Sequence, residues 1–271
     1  MAGAIREMAR KQLSYGYIRS MCSAVFDGER LTLRETSTHP LVQAAKTAAR
    51  RYLAGRPVIR RNPLLGDNVW QILANINWDL KISARDGTMV GVGTALGLRG
   101  DDLTGLWTVH VVPLKRVGNT LVPGTWDDYE AARIYINSSK MDQFWKGASV
   151  ILSSNDPRSP RTALGALRRW ILVYAPAHGP LFPSLAGRSK GGEIKTATVA
   201  GRLKRALSET GTNPTGFGSH SMRAGMATEA WRAGVDDRLL KQHGRWLSDA
   251  VQTYKRPDLL EQASVVKAMD M

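Results

Sequence analysis

The chain has 271 residues, 43% of them hydrophobic, which is enough for one large domain or two smaller ones with a true core. Its 38 Lys and Arg outnumber 23 Asp and Glu to leave a net charge of +15, so a polyanionic partner is implied, nucleic acid ahead of an acidic membrane. Cys22, the one cysteine, excludes an internal disulfide, and no apolar run approaches the ~18 residues that span a bilayer or resembles a signal peptide; a soluble intracellular protein is expected, without membrane attachment.

The charge is uneven. Residues 1–62 hold 12 basic and four acidic side chains, over half of the surplus in under a quarter of the chain. Ile5, Met8, Leu13, Tyr17 and Met21 stand at helical steps and predict one or two helices over residues 3–24. "HPLVQAAKTAARRYLAG" predicts the next, with Leu41, Ala45, Ala48 and Tyr52 as its apolar stripe and Gln43, Lys46 and Arg50 on another face. "GRPVIRRNP", with two prolines and three arginines, reads as a linker to the main domain.

"LLGDNVWQILANI" opens that domain as a helix. Residues 88–115 give a poor signal, Gly-rich and then "DDLTGLWTVHVVPLK", which fits helix or strand. "ARIYIN" and "ASVILS" predict a β-hairpin with Lys140 at its turn. "SPRTALGALRRWILVYA" predicts a helix with Ser159 as N-cap, Pro160 at the first helical position, and Ala163, Leu167, Trp170, Ile171 and Tyr174 as its apolar stripe. Further helices are predicted over "TATVAGRLKRALSETG", Ser221–Ala233, Asp236–His243 and Ser248–Lys255, each stopped by a glycine or proline. The fold class is therefore α+β: a mostly helical domain with a small antiparallel sheet, preceded by a short basic helical domain.

Residues 218–257 concentrate the chemistry. His220 and Arg223 lie one turn apart at the start of a helix, and a guanidinium fork matches two phosphate oxygens at once. Trp246 offers one N–H, and Tyr254 a phenol that becomes a useful nucleophile only where cations favour its ionised form. Each alone has a structural explanation as cap, ion pair or core aromatic; it is their combination that points to a phosphate site. His39, His110 and His178 stand isolated and read as structural or surface residues. No Walker-type loop and no histidine–carboxylate cluster is present, so neither a cofactor nor a metal is expected.

"HSMR", "AGV", "HGRW" and Tyr254 resemble the C-terminal signature of the tyrosine recombinases, the phage-integrase family. Arg223 to Trp246 is 23 positions and Trp246 to Tyr254 is eight, both within the family's range. "INSSKMDQFWKGASVIL" is similar to its lysine hairpin, which puts Lys140 in the place of the family's general acid. On spacing, the first family arginine is expected at Arg116 of "KRVGNTLVP", 24 positions before Lys140; Arg99 of "LRGDDL", 41 positions before it, is the competing candidate. Asn119 stands where the family usually has an acidic residue. The likeness covers about residues 60–260, and the "Asn-x-x-x-Pro" flavour resembles recombinases of eukaryotic mobile elements.

The resemblance implies site-specific DNA cleavage and rejoining through a 3′-phosphotyrosyl intermediate. Its catalytic set would be Arg116, Lys140, His220, Arg223, Trp246 and Tyr254, with His243 in support and Lys46, Arg50 and Arg51 on the DNA. It further implies double-stranded DNA as partner, a homotetramer on two duplexes, and a location in the nucleus or the nucleoid. Residues 1–62 would form a partial core-binding-like domain and residues 63–271 the catalytic domain, whose final helix would carry Leu259, Leu260, Ala263, Val266 and Met269. The rival expectations are a helix-turn-helix regulator, a type IB topoisomerase-like enzyme and an inactive relative.

Overall fold

The computed structural model describes residues 1–31, 39–54, 61–137 and 147–255, together with Ser264 and Lys267. The chain forms two compact units, Met1–Ile59 and Arg60–Met271.

The first unit is three helices, α1 (Ala2–Arg10), α2 (Tyr15–Leu31) and α3 (Pro40–Ala54). Ile5, Ala9, Ile18, Cys22, Val42, Ala45, Ala49 and Leu53 make its core. The buried face of α3 is thus rotated from the expected one, and Leu41 and Tyr52 remain 60% and 64% exposed. Both stripes have helical spacing and two alanines at the centre; the observed one turns Val42 and Leu53 inward in place of Leu41 and Tyr52, against α1. Tyr17 and Met21 likewise face solvent, while Ile18 and Cys22 turn inward. Lys46 holds its Nζ 4.2 Å above the Phe26 ring, and Arg50 and Arg51 are exposed.

The second unit is mostly helical around a small antiparallel sheet. Its centre is α5 (Lys81–Ala95), buried from Ala84 to Thr94, against which α4 (Gly66–Ala74), α7 (Ala163–Val173), α8 (Thr196–Glu209) and α9 (Ser219–Arg232) pack. A helix surrounded on all sides has no solvent face and so no amphipathic period, which is why its sequence reads poorly. Two of its charges are internal: Arg85 donates Nε to Asp86 Oδ1 at 2.7 Å and Nη1 to the Pro183 carbonyl at 3.0 Å. Strands β1 (Val111–Val117), β2 (Thr120–Pro123), β3 (Ala131–Ile136) and β4 (Ala148–Ser153) pair antiparallel in the order β2-β1-β3-β4. The ambiguous stretch before residue 115 therefore resolves into a short helix, α6 (Gly100–Thr104), a 3-10 turn and β1. The cap of α7 is Thr162, whose Oγ1 accepts from the Gly165 N–H at 3.1 Å; Ser159 instead closes the preceding turn through its carbonyl. Trp170, fully buried on α7, donates its indole N–H to the Leu181 carbonyl. Among the described residues no helix is long and apolar enough to cross a membrane.

Residues 62–66 run along α9 and fix its position. The Leu64 N–H donates to the Ser221 carbonyl at 2.9 Å, and the Gly66 N–H to Glu229 Oε1 at 3.1 Å. At Gly225 a Cβ would lie 1.9 Å from the Leu64 carbonyl oxygen, a backbone atom with no rotamer to retreat to. Gly225→Ala is accordingly expected to destabilise the unit by at least ~1–3 kcal/mol. A denaturant titration checks this, and a midpoint unchanged from the unmodified chain would contradict the packing described.

Candidate active site

Four segments of the second unit converge around Arg223. It leaves the first turns of α9, is 2% exposed, and donates Nη1 to the carbonyl of Gly97 at 2.6 Å. Gly97 follows α5 in the left-handed region (φ 55°), a conformation that turns the chain toward Arg99 and α6. α10 (Asp237–Gly244) is capped by the Asp236 carboxylate and ends with Arg245 at φ 55°. Trp246 then folds back over its last turn. A Cβ on Gly244 would lie 1.8 Å from Trp246 Cζ3, so only glycine leaves room for the indole there.

That indole is the floor of the site. The Arg223 guanidinium carbon stands 4.0 Å from the Trp246 ring centroid, and the Tyr254 ring lies 5.6 Å away at 48°. Trp246 thus engages Arg223 through its ring face. A 3-10 turn, Asp249–Thr253, delivers Tyr254, and Thr228 Oγ1 of α9 donates to the Tyr254 carbonyl at 2.8 Å. The main chain at Tyr254 is therefore tethered to the helix that carries Arg223. His243 donates Nε2 to the Ala95 carbonyl at 3.0 Å and ties α10 to the end of α5. His220 stands exposed on the first turn of α9.

The charges that weigh most on Arg223 are Arg99, Arg245, Tyr254 and Asp102. Burial, then Arg99 and Arg245, push the Arg223 guanidinium down to about 10, while Tyr254 and Asp102 pull the other way. It stays protonated at neutral pH. Burial also lowers Arg245, which donates Nη2 to Asp102 Oδ2 at 2.9 Å. Nε and Nη2 of Arg223, Nη1 of Arg99, and Nε and Nη1 of Arg245 are buried without a hydrogen-bond partner among the described residues. Buried donors on cations demand acceptors. Three guanidiniums facing one carboxylate form a socket for an anion with several oxygens.

One expected residue lies elsewhere, and another falls outside the described residues. Arg116 sits on β1 with its side chain 58% exposed, and its Nε donates to Glu130 Oε2 at 2.8 Å, so its fork is directed to that surface carboxylate. The arginine that stands with Arg223 is Arg99. Lys140 lies outside the described residues, between Asn137 at the end of β3 and Gly147 before β4. Arg245 and Asp102 were not among the expected residues, although both fall within the stretches "HGRW" and "LRGDDL". The signal for Asp102 is its place three residues after Arg99, where its Oδ2 accepts the Arg99 backbone N–H at 3.2 Å and caps α6. Among the described residues no group of three His, Cys, Asp or Glu could hold a metal ion.

The sequence model of the phage integrase family matches residues 62–259. Among solved structures, the chain is similar to the XerA recombinase, with 15% identity over 98% of this chain and 96% of that one (TM-score 0.54). It is also similar to the XerH site-specific recombinase bound to palindromic difH substrate in a post-cleavage complex, with 16% identity over 78% of this chain (TM-score 0.55). The chain spans 54% of the length of that XerH chain. A lambda integrase tetramer bound to a Holliday junction matches with 15% identity over 96% of this chain and 66% of that one (TM-score 0.56). No curated protein matches the sequence.

Proposed function

The chain belongs to the phage integrase family, and from that premise we propose that it cuts and rejoins DNA at specific sites through a 3′-phosphotyrosyl intermediate. The observation that carries this reading is the buried set of unpartnered guanidinium nitrogens beside Tyr254. A phosphodiester resists attack because its oxygens are anionic and its alkoxide leaving group is poor. Arg99, in place of Arg116, and Arg223 grip the non-bridging oxygens and neutralise charge as it grows. Trp246 holds the Arg223 fork in plane from below, and His220 contributes from the surface end of α9. Tyr254 Oη releases its proton to solvent and attacks phosphorus, the P–O5′ bond breaks, and the 5′-oxygen takes a proton from Lys140. The tyrosyl ester keeps the energy of the diester, so a 5′-hydroxyl of another strand can reverse the step.

Exchange between two duplexes calls for four such sites, hence a homotetramer. Lys46 and Arg50, one turn apart on α3, and Arg51 beside them meet the phosphate backbone and set its salt dependence. A DNA-acting chain of this kind works in the nucleus or the nucleoid.

The test is covalent trapping on nicked duplexes drawn from the sequences flanking its own gene. The unmodified chain is expected to form an adduct that resists denaturant; a chain that binds these duplexes and never forms one is not a recombinase. Lys140→Ala is expected to slow adduct formation by ~10²–10⁴ and leave binding unchanged. Equal losses in both would remove Lys140 from the chemistry.

A further inference from the structure

We infer that Arg245 is a positioning residue for the anion site: by occupying Asp102, it leaves the Arg99 and Arg223 guanidiniums to the scissile phosphate. The inference rests on the strand-cleavage reading above. Asp102 is 3% exposed, and its Oδ2 accepts Arg245 Nη2 at 2.9 Å and the backbone N–H of Arg99 at 3.2 Å, while its buried Oδ1 has no hydrogen-bond partner among the described residues. The carboxylate thus holds Arg99 by its main chain while the Arg99 Nη1 remains unpartnered. A buried carboxylate stripped of its only ion-pair partner is costly and draws in another cation. Without Arg245, the other cations of the cluster are Arg99 and Arg223, and a fork that closes on Asp102 is lost to the substrate.

The charge count supports the same division. Three guanidiniums and one carboxylate leave two positive charges in the cluster. A phosphodiester carries one negative charge, and a second develops as the phenolate oxygen adds and phosphorus becomes five-coordinate. With Arg245 present, the site is matched to the charge of the transition state; without it, only to that of the bound substrate. The backbone agrees, because Arg245 holds a left-handed φ of 55°, a region that side-chain-bearing residues avoid, and from there its fork reaches Asp102.

The experiment compares the full-length chain with Arg245→Met, Asp102→Asn and the double variant. Single-turnover adduct formation on a nicked duplex, equilibrium binding of that duplex, and the melting-temperature rise caused by inorganic phosphate are measured for each. Arg245→Met is expected to lose ~100-fold in adduct rate with duplex affinity within about threefold. Removing the Asp102 charge as well is expected to recover at least ~10-fold, since the freed carboxylate is then gone. A double variant as slow as, or slower than, Arg245→Met means that Arg245 only supports the fold, and overturns the inference. If Arg245→Met does not fold, Arg245→Lys is decisive: a lysine that keeps the charge should retain at least a tenth of the rate, and a greater loss counts against the inference. If the unmodified chain forms no adduct, the strand-cleavage reading falls and the phosphate arm decides. The stabilisation by phosphate should then shrink in Arg245→Met and return in the double variant; an equal response in all three sinks the inference too.

Discussion

Tyr254→Phe is expected to abolish the covalent protein–DNA adduct, a loss of at least ~10⁴-fold, while leaving the affinity for uncleaved DNA within about threefold. The substitution removes one oxygen and leaves its surroundings intact. The ring keeps its packing beside Trp246 at 5.6 Å, and the anchor from Thr228 Oγ1 goes to the main-chain carbonyl, which phenylalanine shares. Binding and fold therefore have no reason to change. Gel mobility under denaturing conditions reads the adduct, and fluorescence anisotropy reads the affinity. An adduct that persists in this variant would transfer the nucleophile to another residue and remove the purpose of the Arg223–Trp246–Tyr254 arrangement.

The second large effect separates two arginines. Arg99→Ala is expected to slow cleavage by ~10²–10³, the usual consequence of deleting one donor to a developing oxyanion. Arg116→Ala should alter it by less than about threefold, because an exposed ion pair such as Arg116–Glu130 contributes little. Arg99→Lys should remain well below the unmodified chain, since an ammonium cannot present a planar fork to two phosphate oxygens. Single-turnover rates on one nicked duplex rank all three variants. The opposite ranking would return the role to Arg116.

These two arginines also show what a sequence can convey. His220, Arg223, Trp246 and Tyr254 fall within 35 consecutive residues, on elements joined by short turns, so their spacing reflects one local piece of architecture. Arg99 enters from the far side of the unit, more than a hundred positions upstream of Arg223, and reaches it only because α5 threads the core. Between Arg99 and Lys140 the chain passes through β1, β2 and β3, so a count of positions says little about distance in the fold. The hairpin of β3 and β4 was legible because its strands alternate and are short. α5 was not, because burial on every side erases period. On α3 the helix was plain and its face was not, since two apolar stripes overlap and packing against α1 and α2 decides between them. Arg245 escaped notice for a related reason: its value comes from Asp102, a residue that only the fold brings near.

The tether from Thr228 to the Tyr254 carbonyl has a consequence for how work is divided among copies. Blade and handle belong to one polypeptide, with the attacking phenol and the gripping arginine secured to a single helix. On the proposed function, incision is then a solitary act. A lone copy on half a site should nick it without borrowing anything from a neighbour, and company is needed only afterwards, when loose ends must find new owners.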